Sequence, residues 1–275
     1  FALSTLWPMS GGAAGKEKKG KRREISQPAW GLVWPLPPQR PRVRYVTQIA
    51  LLTDAEGTQP KKRNWLDRLA GVPAPESKPR LRKPNGVAVD SAGRIYVADG
   101  HLRLVLVFDL DKRTVDYRGN NPGAEFTMPI GVAVDDQDRL YVSDGHRALI
   151  TCFSPQGDPL AVLGHQVVER PTGLAVDRAR KRLYVADTKA NRIAMFNTET
   201  FQLEGYLGSP STPGEREPGK FAAPTNLTVD GNGNLYVTDT WNHRVQIFDA
   251  KGKFLRAFGE HGTAVGNFVR PKGIA

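Results

Sequence analysis

A 25-residue phrase occurs four times in this chain, opening at Pro84, Pro129, Pro171 and Pro224, and a fifth copy begins at Pro271. Each copy runs Pro-x-Gly/Asn-aliphatic-Ala/Thr-Val-Asp, then Tyr-Val-x-Asp, then an apolar run that ends in Phe. The prolines are 45, 42, 53 and 47 residues apart. Self-similarity at that period restricts the chain to a solenoid, an array or a propeller.

Spacing inside the copies is far tighter than spacing between them. Asp90 to Asp99, Asp135 to Asp144 and Asp230 to Asp239 are each nine residues, and Asp177 to Asp187 is ten. From that second Asp to Phe108, Phe153, Phe196 and Phe248 the step is nine in every copy. Insertions are thus confined to the connections, as expected of one packed unit per copy. The segments Val87–Val89, Ile95–Val97 and Leu104–Phe108 are short, apolar and rich in β-branched or aromatic residues, so they read as strands. Turn residues separate the first two strands (Ser91-Ala92-Gly93, Asp136-Gln137-Asp138, Gly231-Asn232-Gly233), and the Asp before each suits a side chain that bonds the turn backbone. A fourth strand follows each Phe, most clearly at Phe254–Gly259. Four antiparallel strands in about 45 residues make one propeller blade. The fold class expected is therefore all-β, a β-propeller of four-stranded antiparallel blades. Leu81, Phe126, Val168, Phe221 and Phe268, each three residues before a proline, are expected to wedge between neighbouring blades.

Residues Ala223 to Asp249, with Leu-Tyr-Val-Thr-Asp-Thr-Trp-Asn-His-Arg-Val-Gln-Ile-Phe-Asp, resemble an NHL repeat, including Asn242-His243-Arg244. Asn191-Arg192 keeps part of that signature, while Asp99-Gly100-His101 and Asp144-Gly145-His146 replace it. The resemblance covers about residues 81–275 and implies a six-bladed propeller. WD40 and kelch signatures are absent. Because Phe1 is not Met and Ala275 falls within a first strand, the expectation is of a segment of a longer chain, cut at both ends. Completing six blades would take about 70 further residues at this period.

The first 83 residues differ in kind. Residues 1–41 form a basic, proline-rich leader, with Phe1 to Met9 read as a remnant of a secretory signal, a run from Lys16 to Arg23, and Trp34-Pro35-Leu36-Pro37-Pro38 as an extended spacer. Residues 42–83 are a linker, with a lone strand over Arg42–Leu52 that could complete a blade and a short helix over Asn64–Ala70. There is no apolar run of 18 or more residues, hence no transmembrane helix in the sequence given. The single cysteine, Cys152, lies on a strand expected to be buried and has no disulfide partner within the chain. These features point to an extracytoplasmic setting, periplasmic or secreted.

The net charge of +11 at first suggests nucleic acid. Residues 1–83 carry 17 basic and 6 acidic side chains, whereas residues 84–275 carry 22 of each, so the basicity belongs to the leader. Single-stranded RNA therefore ranks low as a partner, and the leader suits anionic surfaces such as lipid headgroups.

In an up-and-down blade the start of strand one and the strand two–three turn share a face. That surface collects Asn85 and Asn226 from the strand starts, and His101, Arg103, His146, Arg147, Lys189, Asn191, Arg192, Trp241, His243 and Arg244 from the turns. The longest connection, Ser209 to Lys220, rims the same face. Aromatic and Arg side chains are what interaction surfaces use. No catalytic set appears: HExxH, GxSxG, the P-loop and CxxC are all absent. Propeller lyases of the resembled family carry a zinc-binding His directly after the strand-one proline, where this chain has Asn85, Ile130, Thr172, Thr225 and Lys272. No cofactor is implied, although a calcium held by backbone carbonyls on the channel axis would leave no trace in sequence. The sequence reading is a non-catalytic scaffold that binds a protein or peptide through this face. The alternative is a metal-dependent enzyme of the lyase or lactone-hydrolase kind.

Overall fold

Each copy of the repeat folds into four antiparallel strands. The computed structural model describes residues 33–34, 43–44, 81–120 and 124–275, and it divides the chain into residues 1–48 and 49–275. In the first unit Val33–Trp34 (β1) pairs antiparallel with Val43–Arg44 (β2). The strand expected over Arg42–Leu52 is described only at those two residues, where it pairs with β1. The helix expected over Asn64–Ala70 lies outside the described residues.

In the second unit blade 1 is Pro84–Val89 (β3), Ile95–Asp99 (β4), Leu104–Asp109 (β5) and Thr114–Arg118 (β6). Blade 2 is Pro129–Val134 (β7), Leu140–Asp144 (β8), Leu149–Phe153 (β9) and Pro159–Leu163 (β10). Blade 3 is Pro171–Asp177 (β11), Arg182–Asp187 (β12), Arg192–Asn197 (β13) and Leu203–Leu207 (β14). A short parallel pair, Ser209–Pro210 (β15) with Lys220–Phe221 (β16), leads to blade 4: Pro224–Val229 (β17), Leu235–Asp239 (β18), Arg244–Phe248 (β19) and Phe254–Phe258 (β20). In every blade the opening proline sits opposite the second Asp: Pro84 with Asp99, Pro129 with Asp144, Pro171 with Asp187, Pro224 with Asp239. The strand starts and the two–three turns therefore share one rim, here the upper rim, and the other turns form the lower rim.

Most of the core lies between blades; one smaller cluster, around Val97, Leu106 and Phe108, belongs to blade 1 alone. One apolar cluster joins Tyr96, Val105 and Val107 of blade 1 to Val132, Leu140 and Phe153 of blade 2. Equivalent clusters join blade 2 to blade 3 around Tyr141, Cys152, Leu183 and Phe196, and blade 3 to blade 4 around Tyr184, Ile193, Leu235 and Phe248. Strand two shows how: Leu140 faces the preceding blade and Tyr141 the following one, the period-two alternation of a strand buried on both faces. Three of the five expected wedges occupy these seams, while Leu81 packs on blade 1 alone and Phe268 is half-buried beside Phe258. Phe126, Val168 and Phe221 are buried, with Phe126 edge-on to Phe153 at 6.0 Å and Phe221 5.8 Å from Phe248. The sequence reading missed their partners. Gly119, Gly164, Gly208 and Gly259 follow the fourth strands with φ of 93°, 90°, 84° and 97°, and a Cβ at each would collide with the wedge side chain that follows it.

The first Asp of each blade closes the strand one–two turn. Asp135 accepts from the N–H groups of Gln137 and Arg139, both at 2.9 Å, and from Tyr141 Oη at 3.1 Å. Asp90 does the same with Arg94 and Tyr96, and Asp230 with Asn232, Asn234 and Tyr236. These carboxylates are architectural. Phe248→Ala, which removes a buried ring at the seam of blades 3 and 4, is expected to cost about 3–5 kcal/mol, read as a lower melting temperature; an unchanged melt would refute inter-blade packing as the source of stability.

Candidate functional site

The upper rim is organised by the second Asp of each blade, which is fully or almost fully buried in all four. In blade 1, Asp99 accepts from the backbone N–H groups of Arg82 and Lys83, before strand one, and from His101 and Leu102, in the two–three turn. Burial pushes this carboxyl up, but the backbone donors of Leu102, Arg82, Lys83 and His101 outweigh it and hold it below the usual range. Asp144 repeats the arrangement with Thr127, Met128, His146 and Arg147. Because the carboxylates use backbone donors, the rim side chains are released from structural duty and can point outward.

Half of the candidate residues do so. His101, Arg103, His146, Arg147, Lys189 and Trp241 are exposed on this rim. Lys189 pairs with Glu169 at 3.1 Å, and the Arg147 guanidinium donates to the carbonyl of Glu125. Arg192 is half-buried, stacked 3.6 Å from the centre of the Tyr206 ring, and donates to the carbonyl of Val167 at 3.1 Å. Asn226 is half-buried, with its Oδ1 accepting from the N–H of Leu227 at 2.9 Å. Arg244 does not reach the surface. It is 1% exposed, its Nε donates to Asp239 at 2.9 Å, and its terminal nitrogens hold the carbonyls of Arg216, Glu217 and Lys220. It ties the long 209–220 connection to blade 4 and is structural, because the hydrogen bonds of the signature arginine run inward.

Other candidates stitch one blade to the next. Asn85 donates to the carbonyl of Pro129 at 3.4 Å, and Thr172 donates to that of Thr225 at 3.0 Å. Ser143, Thr188 and Thr240, which sequence reasoning passed over, donate to the carbonyls of Thr172, Pro224 and Pro271 at 2.5, 2.6 and 2.7 Å. The strand-one glycines permit this closeness: a Cβ on Gly86 would lie 2.5 Å from the carbonyl oxygen of Ile130. The first strands and residues 272–275 line a cavity of about 950 Å³, with Asn85, Thr172, Thr225 and Asn226 at its upper end and Val89, Val134, Val176 and Val229 at its lower end.

The surface feature with most chemistry is a cluster around the turn of blade 4. Trp241 is 49% exposed, and the Arg270 guanidinium lies over its ring at 5.1 Å. His243, at φ 54°, meets His261 edge-on at 4.5 Å, and its Nδ1 accepts the backbone N–H of Arg270 at 3.2 Å. Arg270 and His261 were not anticipated. Their signal is the αL position shared by Arg103, Ala148, Asn191 and His243, which becomes visible only when the turns are superimposed. Among the described residues no three His, Cys, Asp or Glu side chains come together as a metal would require. Cys152 is buried and its thiol is pushed up to about 11, first by burial, which keeps it out of nucleophilic chemistry.

The family described as NHL repeat matches residues 81–108, 126–153 and 221–248. The chain carries NHL repeats. The blade that opens at Pro171 lies outside those matches, yet it has the same four-strand order and proline–Asp register. Over 57 residues the chain is 39% identical to Protein brain tumor of Drosophila melanogaster, covering 21% of this chain and 6% of that protein. Over 86 residues it is 31% identical to a probable peptidyl-alpha-hydroxyglycine alpha-amidating lyase of Caenorhabditis elegans, covering 31% of this chain and 24% of that one. The matched region is thus less than a quarter of either relative. Among solved structures, hydrazine synthase of Kuenenia stuttgartiensis superposes with a TM-score of 0.54 at 17% identity, over 68% of this chain and 51% of that chain, a likeness of fold.

The division of the rim between buried Arg244 and exposed residues such as Arg103 is testable. Arg244→Ala strips the partner from a buried carboxylate and is expected to cost about 3–5 kcal/mol in a denaturant or thermal melt. Arg103→Ala, at an αL position that blade 2 fills with alanine, should stay within about 0.5 kcal/mol. Equal effects would contradict these assignments.

Proposed function

We propose that the upper rim binds a protein or peptide partner without catalysis, with Trp241 as its anchor. The observation that carries this reading is the half-exposed indole on a rim whose backbone is fixed from below by Asp239, with a guanidinium across its face. Trp and Arg held on rigid scaffolding are the residues that dominate interface energetics. Exposed cations outnumber exposed anions on this rim. Arg82, Lys83, Arg103, Arg147, Arg170 and Lys272 are exposed, while Glu169, Glu217 and Glu260 already meet Lys189, Lys220 and Arg216. The partner favoured is therefore a segment that offers an apolar side chain beside acidic ones.

The enzyme reading draws on the partial identity to the lyase, but the positions that would need ligands do not support it. Asn85 and Thr172 are committed to inter-blade carbonyls, and Ile130 carries no donor atom in its side chain. Peptides selected from a random display library on the full chain should lose about 30-fold or more in affinity on Trp241→Ala, the size of a 2 kcal/mol hot spot, with no change in the melt. Affinity indifferent to Trp241 would overturn the proposal. A steep linear fall of affinity with salt, the same for every nucleic-acid sequence, would point to backbone phosphates instead.

A further inference from the structure

Two blade junctions on the upper rim are built alike but from different chemistry. In blade 3 the αL residue of the two–three turn is Asn191, and its Oδ1 accepts the backbone N–H of Ala223 at 2.6 Å. Ala223 stands directly before Pro224 and is itself αL, at φ 50°. In blade 4 the equivalent residue is His243, whose Nδ1 accepts the backbone N–H of Arg270 at 3.2 Å. Arg270 stands directly before Pro271, at φ 53°. The bond is the same; the acceptor is an amide oxygen in one and an imidazole nitrogen in the other. An amide oxygen accepts at any physiological pH. An imidazole nitrogen accepts only while it is unprotonated, so this geometry requires the proton of neutral His243 to sit on Nε2.

Protonation would turn Nδ1 from acceptor to donor and set two N–H groups against each other. Two groups that face His243, His261 and Arg270, make the cation unwelcome. His261 lies ring to ring on the 259–270 connection, and Arg270 reaches over Trp241 from the start of the next repeat. The neighbouring ion pair, Arg216 with Glu260 at 3.7 Å, closes the same connection, Arg216 also donating to the carbonyl of Gly259 at 3.0 Å. Within its own turn, Arg244 is already neutralised by buried Asp239.

We propose that His243 is a pH-sensitive latch on residues 259–270: neutral, it holds Arg270 in place over Trp241, and protonated, it releases the connection and uncovers the indole. Burial first, then His261 and Arg270, hold the imidazole below its ordinary value of 6.5. The folded state therefore favours neutral His243. The stability it contributes is complete above the unfolded value and is lost as pH falls through the lower folded one. The latch stands on this geometry; its effect on partner binding rests on the assignment of Trp241 as anchor.

Amide hydrogen exchange on the full chain at about pH 5 and about pH 8, a range in which His is the only side chain with its ordinary charge change, tests it. Protection of the Arg270 amide, taken relative to its intrinsic rate, should fall several-fold in acid, while that of Ala223 stays level. His243→Asn, which copies the Asn191 junction, should make Arg270 as indifferent to pH as Ala223. Equal pH profiles for the two amides in the unaltered protein, or the same acid loss in His243→Asn, would overturn the latch. Nitrogen chemical shifts of His243 in the unaltered protein give a second reading, and a protonated Nδ1 at about pH 8 would also overturn it. Peptide affinity lost on Trp241→Ala with no latch behaviour leaves the anchor and removes the latch; the converse result does the reverse.

Discussion

A buried carboxylate at the end of strand two holds each blade together at its upper rim. Asp99 gathers four backbone N–H groups, two from the chain that enters the blade and two from the turn between strands two and three. An orphaned backbone donor in such a site costs as much as a lost hydrogen bond, so the carboxylate decides whether the lead-in and the turn can lie side by side at all. It does this without using the side chains of the residues it organises. The same interaction that fixes the rim leaves His101, Arg103, His146 and Arg147 free to be anything. Architecture and variability are separated there at the level of backbone against side chain.

Blade 4 departs from this economy. Asp239 takes one backbone N–H, from Ala222, and otherwise receives Asn242, Arg244 and Gln246 side chains at 2.9 to 3.0 Å. Those side chains reach onward: Asn242 to Ser211 and Gly214, Gln246 to Gly219, Arg244 to three carbonyls of the same connection. The long connection of this chain is thus sewn down by the blade that follows it. Of the signature Asn242-His243-Arg244, two members face inward for that purpose and only His243 faces out.

The fold was legible because its determinants are local and repeated. Proline, Gly, Asp, Tyr and Phe recur at fixed offsets, and each has one packing role that period-two alternation and turn chemistry make readable. The rim was legible as a place and less so as a list. Exposed Trp241 and the His101 and His146 turns follow from blade geometry, whereas the inward path of Arg244 depends on carbonyls 24 to 28 residues away in sequence. Long-range partners of that kind carry no periodic signal. The glycines after the fourth strands escaped for a related reason, since their collision partners are wedge side chains of the next repeat.

The two ends of each blade seam are fastened by different forces. At the upper rim, hydroxyls and amides of Asn85, Ser143, Thr172, Thr188 and Thr240 donate to carbonyls of the next blade. At the lower rim the fasteners carry charge: Ser91 to Asp138, Lys181 to Asp136, and the guanidinium groups of Arg94, Arg180 and Arg182 to carbonyls across the seam. Dissolved salt screens exposed charges beyond about 8–10 Å and leaves neutral hydrogen bonds almost untouched. Raised ionic strength therefore weakens the charged edge of each seam more than the hydroxyl edge. The two edges of one seam thus answer differently to the medium around the protein.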